Sequence, residues 1–462
     1  MNRMSSKAAA GITRRFRTYF RASETFYLVS FFAVLIATGT VLLLLPGASL
    51  QYLHPIDAAF IATSALCVTG LATVPVSSFS AAGQVVILCL IQIGALGIIS
   101  FSSILVAMPG HRFSISSRNT IQGFYLNGIE YNPQRIVRSI VLLTAGIETA
   151  GILILSILFA NAGIDRPIYA GLFHGISAFC NAGISLYDDS LTAFRDNNPV
   201  LLVAGTLITA GGVGFLVLHD LFRVIFRKKR RLSYHSLIVL WMSFLLTAGS
   251  ALVYILFESR CAYAGLDFWT TLNNAVFHAV TARTAGFQTF AQTDFTGPSR
   301  LLTGILMFIG GAPGSVSGGL KVTTVFVIAA VMIRRPDSQG DIRVRRHRLS
   351  AETLNRAVVY FLKAVFLLFL CVFALTVTEM RNTAPAVSFE RAVSFERIVF
   401  ETISAFATAG LTLDFTPLLT NAGKVVVIAA MFAGRVGLIT LAFPSTRHKN
   451  YAITYSEGEL LI

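Results

Sequence analysis

The chain has 462 residues, 55% of them hydrophobic and 13% charged, with a mean hydropathy of +0.71. A soluble domain carries about 25% charged residues, so this chain cannot coat a water-facing surface, and disorder, collagen and coiled coil are excluded by the same numbers. Five widely spaced cysteines exclude a small disulfide scaffold, and the net charge of +15 sits in short segments between apolar runs rather than on a nucleic-acid-binding face. The class that remains is an all-α integral membrane protein with little chain outside the bilayer.

Along the chain, residues 1–22 form a basic N-terminal segment with Arg14, Arg15, Arg17 and Arg21. The first apolar run, 26–46, is long enough to span and lacks the small-residue cleavage site of a signal peptide. A shorter apolar segment, 55–67, and a long run, 83–108, follow. After a basic loop at 109–135 (His111, Arg112, Arg118, Arg135) the pattern recurs as 136–160, 168–180 and 199–226. Arg223, Arg227, Lys228, Lys229, Arg230 and Arg231 lead into 235–257, 268–282 and 299–332. A second basic loop, 334–356 (Arg334, Arg335, Arg343, Arg345, Arg346, Arg348), leads into 357–378, 396–407 and 422–443, and 444–462 closes with Arg447 and Lys449. A run of about twenty apolar residues crosses the hydrocarbon core, whereas a shorter one that ends at a Gly reads as re-entrant. The chain therefore reads as eight spans in four span–half-helix–span units, 23–108, 136–226, 227–333 and 357–443. Acidic residues such as Asp57, Asp165, Asp188, Asp189, Asp196, Glu258, Asp267, Asp294 and Asp414 fall mostly between the basic clusters. The positive-inside rule then puts both termini and the basic loops in the cytoplasm.

The four units align on Gly70, Gly183, Gly286 and Gly410, in turns reading VTGLA, NAGIS, TAGFQ and TAGLT. Six residues before each Gly stand Ser64, Ser177, Val280 and Ser404; ten before stand Phe60, Phe173, Val276 and Phe400. In the following spans Gly94 and Gly97, Gly211 and Gly214, and Gly434 and Gly437 share a spacing of three, with Gly310 in the matching place of the third unit. One Gly alone reads as a close-packing face. Four turns in register with four half-helices imply related units around one pseudo-fourfold axis, which makes a pore.

A cation leaving water needs oxygen ligands, and in a filter these are backbone carbonyls of non-helical chain. Gly allows the dihedrals that turn carbonyls toward an axis, and the C-terminal end of each half-helix adds partial negative charge there. No carboxylate stands in the four turns, which suits a weakly hydrated monovalent ion rather than calcium or magnesium. K⁺ is favoured, with Na⁺ not separated by this argument.

The last span of the third unit, 299–332, is too long for one straight crossing and contains GGAPGSVSGGL at 310–320. That run cannot be a stable helix in lipid, so it must be buried in protein or line the cavity. Gly314 and Gly319 have phosphate-loop spacing, but Leu320 stands where that motif needs Lys. A plug beneath the filter is the better reading. Arg435, between Gly434 and Gly437, places a charge deep in a span, where charge is expensive and functional. It is expected to project into the cavity and donate to carbonyls of the 310–319 loop. Glu401 and His174, nine positions before their glycines, are expected to make packing or capping bonds behind the filter, and Glu148 to pair with a polar group in the bundle. Asp57, Asp188, Asp189 and Asp414 stand near the outer mouth, either to concentrate cations or as solvated loop.

SALCVTGLATV (64–74), SAFCNAGISLYDDS (177–190), TARTAGFQTF (281–290) and SAFATAGLTLDFTP (404–417) resemble the pore segments of the TrkH/KtrB superfamily of bacterial K⁺ transporters, over nearly the whole chain. Eight spans and short termini resemble the KtrB type. The resemblance implies a K⁺ filter from the carbonyls of Val68, Thr69, Gly70, Asn181, Ala182, Gly183, Thr284, Ala285, Gly286, Thr408, Ala409 and Gly410. It implies an intramembrane gate of Gly310, Gly311, Gly314, Ser315, Ser317, Gly318, Gly319, Lys321 and Arg435. It also implies a homodimer with one pore per protomer in the bacterial cytoplasmic membrane, and a cytosolic ring of nucleotide-binding, KtrA-like subunits that would bind ATP or ADP. This chain itself is expected to carry no cofactor, no metal beyond transported K⁺ with Na⁺ as a companion, and to contact membrane lipid but no nucleic acid. A secondary transporter with broken helices is the rival reading, but it predicts inverted repeats, and these run in one direction. An enzyme would need a His cluster or paired carboxylates in the spans, and the sequence offers neither.

Overall fold

The computed structural model describes residues 24–107, 133–227, 229–338, 340–344, 347–380 and 394–437. Arg14, Arg15, Arg17, Arg21, His111, Arg112, Arg118, Lys228, Arg345, Arg346, Arg447 and Lys449, with the segments 1–22 and 444–462 and nearly all of 109–135, lie outside the described residues.

The helices follow in four groups. The first holds α1 (Glu24–Leu44), α2 (Pro55–Cys67) and α3 (Ala81–Ala107). The second holds α4 (Pro133–Asn161), α5 (Pro167–Phe179), α6 (Asn198–Val213) and α7 (Phe215–Ile225). The third holds α8 (Tyr234–Glu258), α9 (Phe268–Thr281), α10 (Gly297–Phe308) and α11 (Val322–Ile333). An antiparallel hairpin of β1 (Ile342–Val344) and β2 (His347–Leu349) separates it from α12 (Ala351–Met380), α13 (Phe395–Ala407) and α14 (Asn421–Phe432), which continues as a π-helical turn over Ala433–Gly437.

Three of the four short helices begin where a side chain can satisfy their first amides. The His54 ring accepts from Ile56 N at 3.4 Å ahead of Pro55, Asp267 accepts from Trp269 N at 3.0 Å and Thr270 N at 3.2 Å, and Ser394 accepts from Arg397 N at 3.3 Å. The third and fourth groups share a further device. Glu258 at the end of α8 accepts from Thr296 Oγ1 at 2.6 Å, and Glu379 at the end of α12 accepts from Thr420 Oγ1 at 2.7 Å. In both groups a first-helix carboxylate thus holds the cap of the helix after the turn.

Each short helix packs on the last helix system of the preceding group: α5 on α3, α9 on α6, α13 on α10, and α2 on α14. The four groups therefore follow one another in a closed circle. By length and composition, Val137–Asn161, Tyr234–Glu258 and Ala351–Met380 can each cross a bilayer alone, and α6 with α7 makes a fourth candidate bent by 107°. Leu28–Leu44, Ala81–Gly97 and Val322–Ile333 are apolar but shorter.

Two expected spans are interrupted. The break in the third group falls where the Gly-rich run predicts it, between α10 and α11. The break between α6 and α7 corrects the reading of 199–226 as one straight span. Gly214 has φ 86°, and the first amide of α7, Phe215 N, donates to Gly314 O at 3.1 Å. The bend is fixed from outside its own helix, so local sequence could not report it.

Candidate functional site

The C-terminal ends of α2, α5, α9 and α13 bring their four turns to one place. In each turn two residues take the left-handed conformation, a non-glycine residue and the Gly two positions on. Val68, Asn181, Thr284 and Thr408 have φ of 57°, 55°, 67° and 51°, and Gly70, Gly183, Gly286 and Gly410 have φ of 99°, 65°, 82° and 86°. Holding an L-residue there is strained and persists only when the surroundings over-determine it. The surroundings do so through short backbone bonds: Thr69 N to Ser64 O, Ala182 N to Ser177 O, and Ala409 N to Ser404 O, each 2.8 Å. In the third turn Ala285 N donates instead to Thr281 O at 2.9 Å.

The glycines meet across the turns. A Cβ on Gly70 would lie 2.6 Å from Ala182 O and 3.2 Å from Gly410 Cα. One on Gly183 would lie 2.6 Å from Ala285 O, and one on Gly286 would lie 2.9 Å from Ala409 O. One on Gly410 would meet Thr69 O, with Gly70 Cα at 3.2 Å. The middle carbonyl of each turn thus abuts the Gly of the preceding turn, around a complete circle. The hydroxyls of Thr69, Thr284 and Thr408 are buried there and bond to no described protein group. Such a site presents oxygen atoms without carboxylate charge.

Behind the turns, hydroxyls and buried ring or acid groups brace the backbone. Ser177 Oγ donates to Ile184 O and Thr281 Oγ1 to Phe287 O, both at 2.7 Å, and Ser64 Oγ accepts from Gly70 N at 3.1 Å. Thr281 thereby does the work of Ser177 from one position later, which accounts for Val280 at the Ser position of the alignment. His174 lies 2.8 Å from Ala170 O and 3.0 Å from Ser185 Oγ, and Glu401 accepts from Thr412 Oγ1 at 2.7 Å and from Thr416 Oγ1. Both groups sit behind the turns. Glu148 accepts from Gln92 Nε2 at 3.0 Å, and Cys67 and Cys180 are buried. At the rim, Asp57 pairs with Lys424 at 2.7 Å, and Asp188 accepts from Ser77 Oγ at 2.5 Å. Asp57 is therefore neutralised by a partner.

The aligned second-helix glycines serve close approach. A Cβ on Gly94, Gly211 or Gly434 would strike Leu66 O, Phe179 O or Phe406 O, four residues before the turn Gly of its own group. Gly310 departs from this, because its neighbour is Gly318 O of the following loop.

That loop crosses from the second group to the fourth. On one side Ala312 N donates to Gly212 O at 2.9 Å and Val316 N to Gly211 O at 3.4 Å. Asn181 joins the same contact: with its amide oriented to satisfy both ends, its oxygen accepts from Ser317 Oγ and its nitrogen donates to Ile208 O, each at 3.0 Å. On the other side Gly318 lies against Ala407 O and Thr408 Oγ1. Three cations address its carbonyls. Arg435 Nη1 donates to Val316 O, Lys321 Nζ to Ser317 O at 2.7 Å, and Arg283 Nη2 to Gly310 O at 3.5 Å. Arg435 is 2% exposed, with Nε and Nη2 unpaired among the described residues. Ser315 Oγ turns back onto Ala312 O at 2.7 Å, and Gly314 and Gly319 have φ of 72° and 63°. Gly311 sits against Gly212 O and the Ser317 side chain. Sequence reasoning overlooked Arg283, although a charge inside the apolar 268–290 stretch was visible. It also missed the side chain of Asn181, which hydrogen-bonds to Ser317 of the loop.

Three comparisons bear on this arrangement. The TrkH family, described as "Cation transport protein", matches residues 1–446. The Ktr system potassium uptake protein B of Bacillus subtilis is 36% identical over 94% of this chain and 95% of its own length. The potassium/sodium uptake protein NtpJ of Enterococcus hirae is 35% identical over 92% of this chain and 93% of its own. The crystal structure of the potassium transporter TrkH from Vibrio parahaemolyticus shares the fold, with a TM-score of 0.70 at 18% identity over 91% of this chain and 84% of that one.

Proposed function

The chain belongs to the TrkH family of cation transport proteins, a family of multi-pass membrane transporters and not of enzymes, and from that membership we propose that it conducts potassium into the cell through the circle of four turns. The observation that carries this reading is the closed sequence of Gly-to-carbonyl approaches at Gly70, Gly183, Gly286 and Gly410. The filter consists of the carbonyls of Val68, Thr69 and Gly70, Asn181, Ala182 and Gly183, Thr284, Ala285 and Gly286, and Thr408, Ala409 and Gly410. Carbonyl dipoles replace the water that a weakly hydrated ion sheds on entry. Four helix C-termini add negative potential without a fixed charge that would trap the ion. Eight spans in four pseudo-fourfold repeats, 23–108, 136–226, 227–333 and 357–443, surround this axis.

The loop from Gly310 through Gly319, with Lys321 and Arg435, is the gate. An ion that leaves the filter meets a peptide segment tied to Gly211 and Gly212 on one side and to Arg435 on the other. Opening breaks those bonds, and the Arg435 charge raises the barrier for a cation until it moves. The names of the relatives support potassium as the ion, with sodium as a companion in NtpJ. The first relative is component B of a system, which supports a cytosolic partner as the source of control. That partner is a KtrA-like ring binding ATP or ADP, docked on a homodimer of this chain in the bacterial cytoplasmic membrane with both termini inside.

The test is rubidium uptake into liposomes that hold the purified chain, with K⁺, Na⁺ and Li⁺ as competitors. The reading expects labelled rubidium uptake to be blocked by K⁺, as by unlabelled Rb⁺, but not by Li⁺. Block by all three alike, or no uptake with and without the regulatory ring, would remove the filter assignment.

A further inference from the structure

If α6 crosses the bilayer, the 107° turn at Gly214 lays α7 close to the membrane plane. α7 buries Phe215, Val217, Leu218 and Asp220 on one side. It ends with Ile225 61% and Phe226 65% exposed, followed at once by exposed Arg227, Arg230 and Arg231. The same juxtaposition closes α11, where Met332 and Ile333 are 81% and 79% exposed and precede exposed Arg334 and Arg335. Exposed large apolar side chains directly beside guanidinium groups suit a bilayer interface, with the apolar part among acyl chains and the charge among headgroups. They do not suit water on all sides.

The turn after α7 is clamped. Asp220 accepts from Lys229 Nζ, from Ser233 N at 2.7 Å and from Ser236 Oγ at 2.8 Å. Lys229 is thus turned inward, while Arg227, Arg230 and Arg231 face out. The opposite end of α7 touches the loop. Phe215 N donates to Gly314 O at 3.1 Å, and a Cβ on Gly214 would lie 3.0 Å from Pro313 O.

We propose that α7 is an interfacial helix whose basic end binds anionic phospholipid headgroups of the cytoplasmic leaflet, and that this anchorage holds the 310–319 loop across the pathway. Charge complementarity selects the occupant, because the cytoplasmic leaflet carries negative surface potential and each basic residue near it adds attraction. The consequence for flux rests on the transport reading above; the lipid binding does not.

The experiment uses the full chain reconstituted in phosphatidylcholine vesicles with or without phosphatidylglycerol, in the absence of any cytosolic protein. The phosphatidylglycerol retained after extraction is weighed by mass spectrometry, and rubidium uptake is followed in parallel. The variant Arg227→Gln/Arg230→Gln/Arg231→Gln is expected to retain roughly tenfold less phosphatidylglycerol than the wild type. Arg260→Gln, beyond the far end of α8, is expected to retain as much as the wild type. Wild-type uptake is expected to rise about threefold when phosphatidylglycerol is omitted, and uptake by the triple variant to ignore lipid composition. Equal retention by wild type and triple variant would overturn the anchor and leave the basic run to a cytosolic protein. Lost retention with an unchanged lipid response would overturn the link to the loop. A chain that passes no rubidium here, and none when the regulatory ring is added, but loses the lipid on substitution upholds the anchor and removes the transport reading instead.

Discussion

The four turns and the 310–319 loop both place irregular backbone deep among the helices, and they satisfy it in opposite ways. The four turns reach one backbone geometry from three sequences, VTG, NAG and, twice, TAG, each braced by its own short helix. The loop occurs once, and its amides and carbonyls are satisfied by other groups: Gly211, Gly212, Arg435 and Arg283. A structure held by its own helix keeps its shape when neighbours shift. A structure held by its neighbours is released when they do. The first property suits an ion path and the second suits a switch.

Substitutions can break that contrast. The largest effect is expected in the turns, where Gly183→Ala forces a side chain into left-handed backbone and onto Ala285 O, 2.6 Å away. Rubidium uptake should fall roughly 100-fold or more while the protein still extracts as the wild type does. An uptake within a factor of two of wild type would mean that the turns are not the ion path. The loop should respond in the opposite direction. Arg435→Ala removes a charged donor from Val316 O, so basal uptake should rise by roughly tenfold; unchanged flux would end its role in the gate. Ser317→Ala removes one neutral bond to Asn181 and should raise basal uptake about fivefold. A loss of selectivity instead would show that Asn181 serves its turn more than the loop. The smallest effect is expected at the rim, where Lys424→Met removes the partner of Asp57. Thermal stability should drop by about 1 kcal/mol, with competitor order unchanged in the uptake assay.

The helix pattern was largely legible in the sequence. The four short helices lie within one residue of the expected 55–67, 168–180, 268–282 and 396–407, because apolar length and a terminal Gly are local properties. The bond from Arg435 to the loop was also legible, since a buried guanidinium needs acceptors and the loop offers exposed carbonyls. The bend at Gly214 was not. Its Gly was noted for spacing, but the bend depends on Gly314, a hundred residues further on. The one-residue shift from Ser177 to Thr281 was hidden for a similar reason, because the two hydroxyls are equivalent only in the carbonyl they reach. The 342–349 hairpin gave no pattern beyond basic loop.

The circle of helix contacts has a seam. α2, near the start of the chain, packs on α14, near its end, and Asp57 is joined there to Lys424. During synthesis the first three groups can assemble in order, each short helix finding the group before it. The turn at Gly70 waits, since Gly410, its neighbour across the seam, emerges more than three hundred residues later. Until then its carbonyls face a gap in the bundle. The circle of oxygen atoms therefore closes only once the fourth group has been made, so on the proposed transport reading a chain arrested before that group has no complete path.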